Sequence, residues 1–85
     1  MHPISAIMSL KPKKRSLTLR GHRTSVSIED RFWRAFCDIA DARGMAINEL
    51  AAEIDEARDP MDGGLASAFR DYVLRYYMER PTKTP

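Results

Sequence analysis

The chain has 85 residues, with 14 Lys or Arg, 12 Asp or Glu, two His, one Cys and a formal net charge of +2. A chain of this length forms one small domain, and such domains often need a partner chain, disulfides or a metal for stability. The single cysteine, Cys37, excludes an internal disulfide, and two distant histidines give no zinc-binding spacing. We therefore expect a protein of the reducing cytoplasm without metal or other cofactor.

The positive charge is concentrated at the N-terminal end. Residues 1–28 hold six Lys or Arg and no acid, a charge of +6, while the remainder holds eight basic and twelve acidic side chains, a charge of −4. A concentrated positive potential indicates contact with a polyanion such as nucleic acid, and a solvated basic tail is the alternative. The first ten residues lack a basic leader and a long apolar run, so we expect no signal peptide and no membrane contact.

The N-terminal third reads as a flexible basic arm, residues 1–15, followed by extended segments. Residues 16–20 alternate apolar and polar side chains, which is compatible with a strand. Gly21 and His22 suit a two-residue type II′ turn, which predicts an intrachain hairpin pairing residues 17–20 with residues 23–26. The other interpretation is that residues 23–28 form one short strand that pairs with the same strand of another chain. The two pairings need not exclude each other, because a strand has two edges and a four-stranded sheet uses both.

Residues 23–28 have a strict alternation that gives the strand two different faces. The face suited to a core carries Thr24, Val26 and Ile28, and the polar face carries Arg23, Ser25 and Ser27. Ser27, followed three residues later by Asp30, resembles a capping box and predicts that a helix begins here.

Three helices are predicted beyond this strand. The first covers residues 29–42 and ends at Gly44 in a left-handed cap, the second lies between Ala46 and Asp59, and the third runs from Leu65 to about residue 80. Their apolar side chains recur at helical spacing. Together with the strand they give this predicted core: Val26, Ile28, Phe32, Phe36, Ile39, Leu50 and Ile54. Residues 81–85 are expected to be a disordered tail.

No catalytic constellation is visible, since no nucleophile, base and oxyanion site come together, and we do not expect an enzyme. The polar strand face is more informative. A two-stranded β-ribbon fits the major groove of B-DNA, where alternate side chains reach base edges and arginine makes a bidentate contact to guanine. Arg23, Ser25 and Ser27 are such a set, although ordinary solvent-facing strand residues would have the same pattern.

The order of strand, helix ending in glycine and second helix resembles the ribbon-helix-helix fold of Arc- and MetJ-type repressors. Residues 14–33, KRSLTLRGHRTSVSIEDRFW, are similar to a small bacterial ribbon-helix-helix family with a GHxTSVSLExxFW-type pattern. Residues 65–74 resemble the final helix of that family. The resemblance covers roughly residues 14–79.

This resemblance implies a mainly α fold with one short β-strand, β-α-α plus a third C-terminal helix over residues 16–80, in an intertwined homodimer. The paired strands would enter the major groove of double-stranded DNA, as in a transcriptional repressor associated with the nucleoid. By position, the base contacts would be Arg23, Ser25 and Ser27, and the core residues named above would form the dimer core. The phosphate contacts expected from the basic arm and the start of the second helix are Lys13, Lys14, Arg15, Arg20 and Asn48.

Some features depart from that pattern. Ala46 stands where a capping Ser or Thr is usual, a loss of about 1 kcal/mol, and Glu49 adds negative charge near the expected phosphate. The third helix exceeds the minimal fold, so it either extends the dimer core or docks a partner protein through Tyr72, Tyr76 and Tyr77.

Two other functions remain open. One is an antitoxin-like adaptor in which the third helix binds a partner protein and DNA contact is secondary. The other is a site for a small nucleotide at Arg20, His22 and Arg23. The absence of neighbouring aromatic residues that could sandwich a base argues against it.

Overall fold

The computed structural model describes residues 10–79, which form an antiparallel β-hairpin followed by three α-helices. The elements are β1 (Lys13–Leu19), β2 (His22–Ile28), α1 (Asp30–Ala42), α2 (Ile47–Ala57) and α3 (Leu65–Glu79). The three predicted helices are confirmed, and of the two alternatives for the strands the intrachain hairpin is the one present, so the fold class with one short strand is wrong for residues 10–79. Residues 1–9 of the predicted arm, residue 80 and the predicted tail 81–85 lie outside the described residues.

The hairpin turns at Arg20 and Gly21, whose φ angles are 51° and 86°. Positive φ at both central residues defines a type I′ turn, whose twist matches the right-handed twist of the flanking strands. The predicted turn at Gly21-His22 is therefore displaced by one residue, and Leu17 pairs with Thr24 rather than with Val26. The Arg20 guanidinium forms an ion pair with the Glu56 carboxylate on α2.

Both ends of the hairpin differ from the predicted boundaries. β1 already begins at Lys13, so the last three residues assigned to the flexible arm belong to the sheet. At the other end, Ser27 pairs with Lys14 inside β2, and the N-cap of α1 is Glu29. The predicted capping box at Ser27 is wrong because the strand continues through Ile28, which is fully buried.

The end of α1 agrees with the sequence. Gly44 has a φ of 68°, its N–H donates to the Asp41 carbonyl at 3.0 Å, and the Met45 N–H donates to the Ala40 carbonyl at 2.8 Å. These two bonds form a Schellman motif, which satisfies carbonyls that the end of a helix leaves unpaired. The predicted left-handed cap at Gly44 is confirmed.

The core lies between the inner face of the sheet and the three helices. The sheet contributes Leu17, Leu19, Val26 and Ile28, and the helices contribute Phe36, Ile39, Ala40, Leu50, Ala51, Ala52, Ile54, Phe69 and Val73. Six of the seven predicted core residues are buried, and Phe32 is half-buried and packs against them. All of this burial occurs within a single chain.

Each strand rests on a different helix. α2 packs against β1, α3 packs against β2, and α1 packs against both helices. The third helix is an integral part of the core, since the ring centroids of Phe69 and Phe36 are 4.5 Å apart. Within residues 10–79, no helix is long and apolar enough to cross a membrane.

Two arginine bridges fasten α3 to the rest of the domain. Arg70 donates twice to the Glu29 carboxylate, at 2.9 and 3.0 Å, which lowers the pKa of Glu29. Arg43 donates to Glu53 on α2 and to the Tyr72 hydroxyl on α3, both at 2.8 Å. These bonds, together with the buried Phe69, fix the position of α3 relative to both other helices.

Candidate nucleic-acid interface

The outer face of the sheet is entirely polar. Because side chains alternate along a strand, the residues between the core positions all point away from the helices. They form three cross-strand pairs, all of them exposed: Lys14 with Ser27, Ser16 with Ser25, and Thr18 with Arg23. The three residues predicted to contact bases thus share this face with three residues of β1.

Both cations of the outer face, and two arginines of α1, lack an acidic partner within residues 10–79. In the part of the chain that the structure describes, Lys14, Arg23, Arg31 and Arg34 make no ion pair or side-chain hydrogen bond. Arg31 and Arg34 are exposed on the first turns of α1. The positive charge of the outer face is therefore available to an external anion.

Lys13 and Arg15 lie on the opposite face of β1 from Lys14. The Lys13 ammonium is 3.2 Å from the Asp30 carboxylate, and Arg15 donates to the same carboxylate at 2.7 Å. The Arg15 guanidinium also stacks over the Trp33 ring, 5.1 Å from its centroid. These two predicted phosphate contacts fasten the sheet to the start of α1 and are not part of the outer face.

The other predicted phosphate contacts outside that face are Arg20 and Asn48, and both also have partners within the domain. The ion pair with Glu56 raises the pKa of Arg20. The Asn48 Oδ1 accepts the Thr18 N–H at 3.1 Å, and beside it the Glu49 carboxylate accepts the Ala46 N–H at 2.9 Å. The Glu49 carboxylate thus lies at the start of α2. We expected from the sequence that its negative charge would disfavour a DNA phosphate at this position.

The two edges of the sheet are not equivalent. In a two-residue hairpin the residues flanking the turn bond to each other, so N–H and C=O groups of Thr18, Ser16 and Lys14 point outward from β1. The bond from Thr18 to Asn48 confirms this direction and ties the turn end of the β1 edge to α2, while the outward groups of Ser16 and Lys14 have no bond within residues 10–79. The outward groups of β2 belong to Arg23, Ser25 and Ser27, and none of them bonds to another residue within 10–79.

Other candidate sites are poorer. No group of three His, Cys, Asp or Glu within residues 10–79 is placed to hold a metal ion. The proposed nucleotide site does not assemble, because Arg20 pairs with Glu56 while His22 and Arg23 lie on opposite faces of β2. Burial raises the pKa of the Cys37 thiol, which makes it a poor nucleophile.

Sequence reasoning missed two members of the outer face, Ser16 and Thr18. Their alternation with Leu17 and Leu19 was the available signal, but the hairpin could not be chosen over a single strand without knowing the turn. Arg31 and Arg34 were also missed, because a helical sequence does not show which cations remain unpaired.

The fold and this surface define a small domain in which a β-hairpin presents a cationic, hydroxyl-rich face and three helices support it. The chain belongs to the ribbon-helix-helix family, because the family model described as "Ribbon-helix-helix domain" matches residues 12–77. No curated protein and no solved structure matches the chain in the two other comparisons.

Membership of the family gives the general role of the domain. Ribbon-helix-helix domains are DNA-binding regulatory modules that dimerise, and they are typically not enzymes. The chain is thus a DNA-binding regulator in this general sense.

Proposed function

We propose that this protein is a homodimeric, sequence-specific DNA-binding protein that regulates transcription by placing a shared β-ribbon in the major groove. The observation that supports this most is the open edge of β2, which borders a face with unpaired cations. An unpaired strand edge is a template for another strand. A second copy supplies it with β2 of its own, which gives a sheet in the order β1-β2-β2-β1.

The outward groups of β2 set the register of this pairing. Arg23, Ser25 and Ser27 are the residues whose backbone groups point to the open edge, so they form the bonded pairs of an antiparallel ladder. A two-fold axis at Ser25 places Ser25 opposite its copy and Arg23 opposite Ser27. This register pairs every outward N–H and C=O of the three residues.

The width of this four-stranded sheet divides its outer face into two zones. Strands lie about 4.8 Å apart, so the two outermost strands are about 14 Å apart, wider than a major groove of about 12 Å. The two central β2 strands therefore enter the groove, and Arg23, Ser25 and Ser27 contact base edges. The β1 strands stay at the rims, where Lys14, Ser16 and Thr18 meet phosphates.

The remaining predicted phosphate contacts have other places in this proposal. Lys13 and Arg15 position the sheet on α1 through Asp30 and do not bind DNA directly. Arg20, paired with Glu56, and Asn48, bonded to Thr18, likewise position the turn and the edge of β1 and do not bind DNA directly.

DNA titrations on genomic fragments at several salt concentrations test the proposal. Arginine-to-guanine contacts give discrimination, so Arg23→Ala costs about 1–3 kcal/mol on the preferred sequence and relaxes specificity at that position. Lys14→Ala weakens all sequences alike and lowers the slope of log affinity against log salt by about 1. Arg75→Ala on α3 removes the same charge elsewhere and serves as the control. Absent or salt-insensitive binding by the unaltered protein contradicts the proposal.

Cross-linking tests the shared ribbon directly. In a Cys37→Ala background, Ser25→Cys places two thiols opposite each other at the two-fold axis, at a Cα separation of about 5.5 Å that suits a disulfide. Ser16→Cys, on the outer strand of the same face, is the matched control and should not cross-link. A strictly monomeric mass together with no Ser25→Cys dimer would show that the ribbon is not shared.

The adaptor function retains one supporting observation, a groove between α2 and α3 with a volume of about 680 Å³. Its lining includes Ile54, Tyr72 and Tyr76. Deleting α3 cannot test this function, because the deletion removes Phe69 and Val73 from the core. Asp62→Arg at the groove is a milder change: loss of a co-purifying protein with DNA binding intact would favour the adaptor.

A further inference from the structure

The third helix leaves apolar side chains in solvent. Leu74 is 55 % exposed, Tyr77 is 42 % exposed and Met78 is 71 % exposed. Leu74 and Met78 are four residues apart and Tyr77 lies between them, so the three side chains occupy neighbouring positions on one flank of the helix. We refer to Leu74, Tyr77 and Met78 as the α3 flank.

The α3 flank is turned away from α2. Arg70, Leu74 and Tyr77 follow one another at intervals of four and three residues and therefore form one stripe along the helix. Arg70, at the start of this stripe, reaches Glu29 directly after the end of β2. Tyr72, on the opposite flank, meets Arg43, which also binds Glu53 on α2.

The same side of the molecule carries the open edge of the sheet. α2 packs against β1, where Asn48 accepts the outward N–H of Thr18, and α3 packs against β2. The helices beneath the sheet therefore follow the order of the strands: α2 lies under β1, and α3 lies under β2. A copy that adds to the open edge of β2 approaches the side of α3 that faces away from α2.

We propose that the α3 flank packs against the α3 flank of a second copy, as a lower apolar layer of the dimer whose upper layer is the shared ribbon. This inference rests on the proposed function, because the two-fold axis is the one at Ser25. A two-fold interface brings one surface patch onto itself, and an apolar stripe of this kind is self-complementary.

The size and chemistry of the interface support a second layer. Specific dimers bury about 1,200–2,000 Å² in total, and seven-residue strands joined edge to edge cover much less than that. Tyr and Met are enriched at interface cores while unpaired charges are depleted. The only charged side chain in the stripe, Arg70, is already paired with the Glu29 carboxylate through its Nε and one terminal nitrogen, so the approach of a second copy leaves no charge without a partner.

The experiment compares dimer dissociation constants by sedimentation equilibrium for the full chain and two variants. Leu74→Gln with Met78→Gln removes apolar surface from exposed positions and is expected to weaken the dimer at least about tenfold. Glu79→Gln, an exposed position that lines the groove between α2 and α3, is the matched control and should leave the dissociation constant unchanged. Urea unfolding of each variant confirms that the chain still folds.

Ser25→Cys cross-linking in the Cys37→Ala background separates this inference from the proposed function. If Ser25→Cys cross-links and the double glutamine variant dimerises as tightly as the unaltered chain, the ribbon stands and the α3 layer is overturned. If the double variant weakens a dimer that Ser25→Cys does not cross-link, the α3 flank binds a second copy but the shared ribbon fails. An unaltered chain that stays monomeric at all concentrations overturns both.

Discussion

The two strands of the hairpin have the same length and the same alternation, yet their outer edges have opposite surroundings. The edge of β1 is tied to α2 at one point, where Asn48 accepts the outward Thr18 N–H. The edge of β2 has its outward groups at Arg23, Ser25 and Ser27, without a partner in residues 10–79. The neighbouring helix, rather than the strand sequence, decides which edge can accept a second chain.

The difference extends to charge. The cations at the ends of β1 are mostly neutralised, by Asp30 at its start and by Glu56 at the turn. Arg23 on β2 has no such acid. A strand whose edge is tied to α2 and a strand whose edge is open thus lie side by side in one sheet, and each presents on the outer face a cation without a partner in residues 10–79, Lys14 on β1 and Arg23 on β2.

The largest effect is expected from proline at the open edge. Ser25→Pro removes an outward N–H from each copy at the centre of the proposed ribbon, leaving two acceptors unpaired at about 1–3 kcal/mol each, so the dimer weakens roughly 30-fold or more. Ser16→Pro is the control. Ser16 is the cross-strand neighbour of Ser25, its outward N–H lies at the edge of β1 next to α2, and its replacement should leave the dimer intact. Sedimentation equilibrium distinguishes the two, and equal effects would show that the edges are equivalent.

The support beneath β2 can be broken separately. Phe69 is fully buried against Phe36, so Phe69→Ala should lower the free energy of unfolding by about 3–5 kcal/mol. Leu50→Ala makes the corresponding cavity on the α2 side, with an expected loss of about 2–5 kcal/mol. Urea denaturation gives both values. If Phe69→Ala left the free energy of unfolding unchanged, α3 would not contribute to the stability of the fold.

Neighbouring lysines on the two faces of β1 sharpen the contrast in charge. Lys14 is unpaired on the outer face, so Lys14→Ala should lower the salt slope of DNA binding by about 1. Lys13 pairs with Asp30 on the inner face, and Lys13→Ala should change that slope by much less. Filter binding or fluorescence anisotropy at several salt concentrations measures both slopes. Equal slopes for the two variants would mean that both lysines reach phosphates.

The smallest effect is the pH dependence of the bridge from α3 to the end of β2. Arg70 lowers the pKa of Glu29 in the folded chain, so this pair stabilises the fold above the unfolded pKa of Glu, about 4.3, and the contribution is lost as pH falls through the folded pKa. Glu29→Gln should therefore be less stable than the unaltered chain at pH 7. In urea denaturation at pH 3 this difference should shrink, and a difference that is constant with pH would exclude the linkage.

The sequence predicted the helices, the glycine cap and most of the core, because those depend on local spacing. The cap at Gly44 needs only a left-handed residue after a helix, and the buried positions of α1 recur at helical intervals. The number of strands was missed for a different reason. Whether residues 13–19 pair with residues 22–28 depends on where the turn lies, and the sequence does not reveal that Arg20, a residue other than glycine, adopts a positive φ.

The candidate site was only partly predictable. Alternation alone assigned Arg23, Ser25 and Ser27 to one face, and the structure places them there. The sequence could not separate Lys14 from Lys13 and Arg15, since that requires knowing that Asp30 and Trp33 lie beneath the inner face of β1. Tertiary contacts of this kind decide which cations remain free for DNA.

The tight turn at Arg20 and Gly21 also determines the order in which the proposed ribbon assembles. Contacts between segments adjacent in sequence form in microseconds, long before two chains meet at ordinary concentrations. The hairpin of each copy therefore forms before two chains meet, and the core beneath it is made by residues of one chain. For this reason, the folding of the single chain should not depend on protein concentration, in contrast to obligate dimers whose monomers have no stable fold.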